Sequence, residues 1–287
     1  MKKIILYIIG IVVGGMITLL LLTYYNNNQY LYFLDAAQIE EESFRSMDFT
    51  KDGLLHMRQF ANCYDLDVYD VITTWMISDS YHWKKREINT NTLDWYESQK
   101  KQMLFYDENA FLKIRGTYEK ILTGLNCFPI PRSSDSSISF VTYENSWGDE
   151  RTYGGERSHE GTDIMGMDYE RGFYPVISIT DGVIEQMGWL EQGGWRIGIR
   201  TKKGAYLYYA HLYSYFEGLE IGSQIKAGDI LGYMGDSGYG KEEGTIGMFP
   251  VHLHLGMYIE TIHYEEMSIN PYHILRYLDN FVRVYNY

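Results

Sequence analysis

Proline is absent from the first 128 residues of this 287-residue chain; all five, Pro129, Pro131, Pro175, Pro250 and Pro271, come later. Glycine is scarce over the same stretch. Only Gly53, Gly116 and Gly124 fall between residues 35 and 127, whereas 22 of the 28 glycines follow residue 128. A turn-poor segment before a turn-rich one favours helices followed by β-structure. Cysteine is limited to Cys63 and Cys127. They can form one disulfide across the proline-poor segment or remain two buried thiols, and spacing does not choose between these. Positive charge is also short, with 25 Lys and Arg against 38 Asp and Glu, a net charge of -13. That argues against a nucleic-acid partner, which requires clustered cations, and gives no general attraction to an anionic polymer or lipid face.

What is present begins with Lys2 and Lys3 before an uncharged run from Ile4 to Leu22, 19 residues. At 1.5 Å per residue this run covers roughly 30 Å of hydrocarbon. The "TYYNNNQYLYF" that follows has no small-residue cleavage pattern, so we expect an uncleaved anchor, with a cleaved signal as the alternative. The lysines hold the N-terminus in the cytoplasm, which places the body of the chain, including any catalytic domain, outside the cell membrane. Residues 23 to 34 read as an aromatic belt and a short polar stalk.

Three regions follow: a membrane anchor over 1–25, a helical extracytoplasmic region over 26–127, and a β domain over 128–287. In "ENAFLKIRGTYEKILTGL" the residues Phe111, Ile114, Tyr118, Ile121 and Leu125 recur at helical steps, and weaker spacing runs through "YDVITTWMISDSYHW". The charged "HWKKRE" reads as a solvated helix face, with His56 and His82 on the surface. After the serine-rich "CFPIPRSSDSSISF", short runs such as "GVIEQMGWL", "GWRIGIRT", "GAYLYYAHLY" and "VHLHLGMYI" predict an antiparallel sandwich or barrel-like sheet.

Six of the eight histidines lie in that β domain. In a strand, His252 and His254 share one face about 6 to 7 Å apart, while Val251, Leu253 and Leu255 pack on the other. His159 and Asp163, four residues apart in "SHEGTD", share a face in a helix or in an extended segment. Two imidazoles and a carboxylate with a fourth position open form the ligand set of a catalytic zinc, whereas structural zinc sites fill all four positions. His211 closes a tyrosine-rich strand. Beside a metal it is a candidate acid, base or oxyanion donor; alone it is a packed edge residue. His263 and His273 have no partner motif and read as structural.

The set "HEGTD", "YYAHL" and "VHLHLG", with the intervening "KAGDILGYMGDSG", resembles the zinc endopeptidases of the lysostaphin and LytM type, peptidase family M23. The likeness runs over roughly residues 128 to 275. It implies a mainly β catalytic domain that cuts peptide bonds in peptidoglycan with one Zn2+ per chain. On that likeness His159, Asp163 and His254 are the metal ligands, and His211 and His252 act on the substrate, one as general base and one at the oxyanion. A non-catalytic scaffold or activator of other wall enzymes is the competing expectation. Such degenerate members lack ligands, and here every position is filled. The helical region offers a separate surface for partner proteins.

Overall fold

A computed structural model of the chain describes residues 2–32, 34–153, 155–167 and 169–287. The N-terminal helix spans Lys2–Asn27. Its stretch from Lys3 to Asn26 is long and apolar enough to cross a membrane and is exposed along its length. Most described residues of the segment read as an aromatic belt and polar stalk are helical. The helix continues past Leu22, a second turn covers Gln29–Tyr32, and Leu31 and Leu34 are buried in the protein core.

Helices Gly53–Cys63, Val68–Ser78 and Thr90–Leu122 make up most of the next region. Their starts follow local chemistry. The Asp67 carboxylate accepts from the backbone N–H groups of Tyr69 and Asp70, and Asn89 accepts from that of Thr92, each satisfying donors that a helix start leaves free. The long helix breaks at Asp107, whose φ is -153°, and the Asp107 carboxylate then caps the second half through Ala110 N. Phe111, Ile114, Tyr118 and Ile121 are buried, as their spacing predicts; Leu125 lies beyond the helix end. Phe44 and Phe49 pack on Tyr118 at 4.8 and 5.9 Å between ring centres. Each such buried side chain contributes roughly 1.5–3 kcal/mol.

"HWKKRE" is not a helix face. It is a loop in which Arg86 grips the buried Asp79 carboxylate with both terminal nitrogens at 2.6 Å and lies 3.8 Å over the Trp95 ring. His56 is not a surface residue either. It packs between Trp75 and Trp83 and donates from Nε2 to the Arg86 carbonyl at 2.7 Å. Cys63 is exposed and Cys127 buried, both as free thiols.

The turn-rich part forms an antiparallel sheet, in agreement with the sequence reading. Its order is Gln224–Ile225, Gly182–Leu190, Gly194–Arg200, Tyr206–Tyr215, His252–Ile259, Gly161–Met165, Thr142–Tyr143. Ile230–Met234 pairs with the far end of Tyr206–Tyr215 and with Pro175–Ile177. One face carries Ile164, Ile197, Ile199, Leu207, Tyr209, Leu253 and Leu255 into the core. A short helix, Tyr272–Leu278, follows the sheet and buries Ile274, Leu275 and Leu278. The helical region seals against these elements: Arg45 donates to the carbonyl and hydroxyl of Ser268, and Asn270 N donates back to the Arg45 carbonyl at 2.8 Å.

Candidate metal centre and active-site cleft

The segment holding His159 and Asp163 is extended, resolving the choice the sequence left open. Gly161–Met165 is a strand, antiparallel to His252–Ile259 with His254 directly opposite Asp163. Gly161 makes that pairing possible. A Cβ there would lie 2.7 Å from the His254 ring and 2.5 Å from the Leu255 carbonyl, so only glycine lets the imidazole lie across the neighbouring strand. On the other side His254 faces Ala210 of the tyrosine-rich strand.

Three donor atoms converge here. His159 Nε2 lies 3.0 Å from Asp163 Oδ1, His254 Nδ1 lies 3.1 Å from the same oxygen, and the two nitrogens are 2.9 Å apart. His159 Nδ1 must donate to the Ser146 carbonyl at 2.8 Å, so in the neutral ring its Nε2 offers a lone pair. Burial pushes the His254 imidazole below its ordinary value despite the opposing Asp163 charge, which keeps that ring neutral. Burial alone would raise the Asp163 carboxyl. The ring nitrogens of His159 and His254 against it overturn this, favouring the ionised form and holding it well below the usual carboxylate range. Two nitrogen lone pairs and a carboxylate aimed at one point repel one another unless a cation sits among them. The set is also the mixed N and O donor set that zinc accepts. The residues therefore fit the group.

His252 and His211 stand beside this triad. His252 Nδ1 donates to the Pro250 carbonyl at 2.8 Å, which turns Nε2 toward Asp163 Oδ1 at 3.7 Å. His211 Nδ1 donates to the Ser237 carbonyl at 2.8 Å, and its ring lies 4.7 Å from that of His252 and 4.6 Å from Phe249. Burial lowers both rings below the ordinary histidine value, His211 most strongly, with the neighbouring histidines adding to it there. Both are thus neutral near pH 7, each with its unprotonated Nε2 available to take a proton.

The position of His211 depends on a bulge. Tyr209 points into the core and Tyr208 and Ala210 line the cleft, so strict alternation would send residue 211 into the core. The pairing with Gly194–Arg200 instead slips by one residue: Trp195 faces Leu212 and Ile197 faces Tyr209. At the slip His211 adopts φ 63°, a left-handed conformation that costs a non-glycine residue roughly 1–3 kcal/mol. The extra residue turns its imidazole toward His252.

These side chains line a cleft of about 400 Å³ that also takes in Arg151, Tyr239 and Phe249. Residues 157–271 match the family model described as Peptidase family M23. A crystal structure from Ruminococcus gnavus, of a protein provisionally named a glycyl-glycine endopeptidase lytM, superposes with a TM-score of 0.75 at 41% identity, covering 90% of this chain and 98% of that one. The chain belongs to peptidase family M23. An L-Ala–D-Glu endopeptidase of Bacillus subtilis (strain 168) is 42% identical over 168 residues, 58% of this chain and 48% of that protein. The chain thus spans about half the length of that relative. Glycyl-glycine endopeptidase ALE-1 of Staphylococcus capitis is 37% identical over 67 residues, 23% of this chain and 18% of that protein.

In this M23 chain the five residues singled out by sequence meet in one cleft, while His263 and His273 do not. His263 is exposed and pairs with Glu40 at 2.8 Å, and His273 lies 3.4 Å from Asp48. Sequence reasoning missed Arg151, whose Nη2 holds Asp163 Oδ2 at 2.7 Å, and the Ser146 carbonyl behind His159. Neither belongs to a spaced motif. An arginine 12 residues from the carboxylate it orients carries no periodic signal, and a backbone carbonyl carries none at all.

Proposed function

We propose that the chain is a membrane-held zinc endopeptidase that hydrolyses peptide bonds of peptidoglycan, with the Lys2–Asn27 helix as its anchor and the cleft on the outer side. The observation carrying this reading is the meeting of His159 Nε2, Asp163 Oδ1 and His254 Nδ1 within 3.1 Å of one another, beside two further neutral imidazoles. His159, Asp163 and His254 would hold the metal. Bound there, zinc supplies Lewis acidity, lowering the pKa of a water toward about 7 and polarising the scissile carbonyl.

The remaining steps belong to the chain. The Ser146 carbonyl and Arg151 fix the orientation of His159 and Asp163. His252, two residues from a ligand, takes the proton of the attacking water at Nε2 and passes it to the leaving amine. His211 takes up a proton from solvent at Nε2 and, as the imidazolium, donates a hydrogen bond to the developing oxyanion, returning that proton to solvent when the oxyanion collapses. Phe249 and Tyr239 wall the cleft beside these two rings and restrict water there. The relatives' names divide between an L-Ala–D-Glu bond and a glycyl-glycine bond, and both are amides that this chemistry opens.

The test is digestion of purified peptidoglycan by the full chain in detergent, with mass spectrometry of the fragments. New amine termini should appear with the wild type and vanish together with bound zinc in His254→Ala. Wild-type protein loaded with zinc that releases no new amine from any wall preparation would overturn the reading.

A further inference from the structure

At the mouth of the cleft, Glu150–Arg151 and Arg157–Ser158 form a two-stranded antiparallel ribbon in which Arg151 and Arg157 stand directly opposite each other. Both line the cleft. Like charges facing each other across a ladder destabilise it, and the chain has only 25 cations against 38 anions. Folding alone gives no reason for the pair. Arg151 is committed to Asp163 Oδ2. Arg157 has no carboxylate partner among the described residues: its Nη2 donates to the Tyr239 hydroxyl at 3.2 Å and its Nε to the Tyr153 carbonyl at 3.5 Å. Those two contacts fix the guanidinium without neutralising it. Glu160, the cleft's other carboxylate, accepts from the Tyr258 hydroxyl at 3.4 Å. Tyr153 and Tyr239 stack at 4.5 Å beside Arg157, so the charge sits against an aromatic wall.

A positioned guanidinium with an open edge recognises a carboxylate in a two-bond fork. A run of glycines offers no side-chain charge. A glutamyl residue always does, because whichever of its two carboxyls carries the chain onward, the other is free. Resting on the peptidase reading of this cleft, we propose that Arg157 is a specificity-determining residue that takes the free carboxylate of an acidic residue next to the scissile bond. The chain would then cut Ala–Glu type bonds in preference to bonds between glycines.

The test compares three peptides of equal length, containing L-Ala–D-Glu, its neutral L-Ala–D-Gln isostere, or glycine throughout, using the zinc-loaded full chain. Wild type should favour the D-Glu peptide over the isostere by roughly 10- to 100-fold in kcat/KM, the range expected of a charge-assisted hydrogen bond, and over the glycine peptide by at least as much. In Arg157→Gln the ratio between D-Glu and D-Gln should fall to near one, chiefly through KM, and Arg157→Lys should retain part of it. Calorimetric titration of the same peptides into chelator-stripped protein should show the same ranking. A wild type that treats D-Glu and D-Gln alike in both measurements overturns the proposal. So does an Arg157→Gln protein that slows both peptides equally, since that is what a residue merely bracing Tyr239 would do. If stripped protein prefers the D-Glu peptide through Arg157 while no peptide is hydrolysed with zinc present, the subsite stands and the peptidase reading falls.

Discussion

At the scale of single residues, the site is organised by where four imidazoles place their protons. His159, His211 and His252 each give Nδ1–H to a backbone carbonyl, of Ser146, Ser237 and Pro250 respectively, which leaves Nε2 facing the cleft. His254 is reversed and brings Nδ1 to Asp163. The difference predicts separable phenotypes. His211 touches none of the three converging donor atoms at hydrogen-bonding distance, so His211→Ala should keep its zinc while peptide turnover falls by roughly 10² to 10⁴, the usual scale for an acid–base or oxyanion partner. Metal analysis of the purified variant beside single-turnover kinetics checks this. Zinc lost along with activity would assign His211 to the metal and refute the division of roles.

At the scale of elements, periodicity carried most of what the sequence could tell. The strands from Gly182 to Ile259 were legible because alternating apolar residues and glycine turns mark them directly, and the His252 and His254 face followed from strand parity. His211 was legible only as a candidate. Its entry to the cleft depends on a one-residue slip against the neighbouring strand, and such a slip arises from pairing, which a single segment does not record. The same holds for the "HWKKRE" loop, where Arg86 serves a buried Asp79 rather than solvent, and for the stalk, whose leucines are covered by residues far along the chain. Helix starts were readable in principle, since Asp67 and Asn89 are capping types, and they yield a quantitative expectation. Asp67 is the cap of Val68–Ser78 through Tyr69 and Asp70. Asp67→Ala should cost about 1 kcal/mol and lower the melting temperature by about 2 to 4 °C, with zinc content unchanged. An unchanged melting curve would mean that packing of this helix, and not its cap, sets its stability.

At the scale of the whole molecule, two histidines with no place in the cleft join the helical region to the C-terminal part of the chain, His263 from a loop and His273 from the Tyr272–Leu278 helix. The Glu40 carboxylate accepts from both the backbone N–H and ring Nδ1 of His263 at 2.8 Å. The ring hydrogen bond is the main cause that brings Glu40 from its ordinary 4.5 down to about 2. A carboxyl whose value is lower in the folded chain binds its proton more readily when unfolded. Its contribution to stability is therefore fully present above about pH 4.5 and is lost as the pH falls through about 2. Glu40→Gln removes that dependence without removing the side-chain volume. The variant should melt below wild type at neutral pH, and the gap between the two should close as the pH is lowered from about 4.5 toward 2. Protonation of the cleft residues acts on both proteins alike and drops out of the comparison. Parallel melting curves of the two full-length proteins in detergent across that range provide the check. No gap at neutral pH would show that the junction between helices and sheet rests on Arg45 and its bonds to Ser268 and Asn270, and a gap that holds constant or widens in acid would show that Glu40 does not act there through its charge.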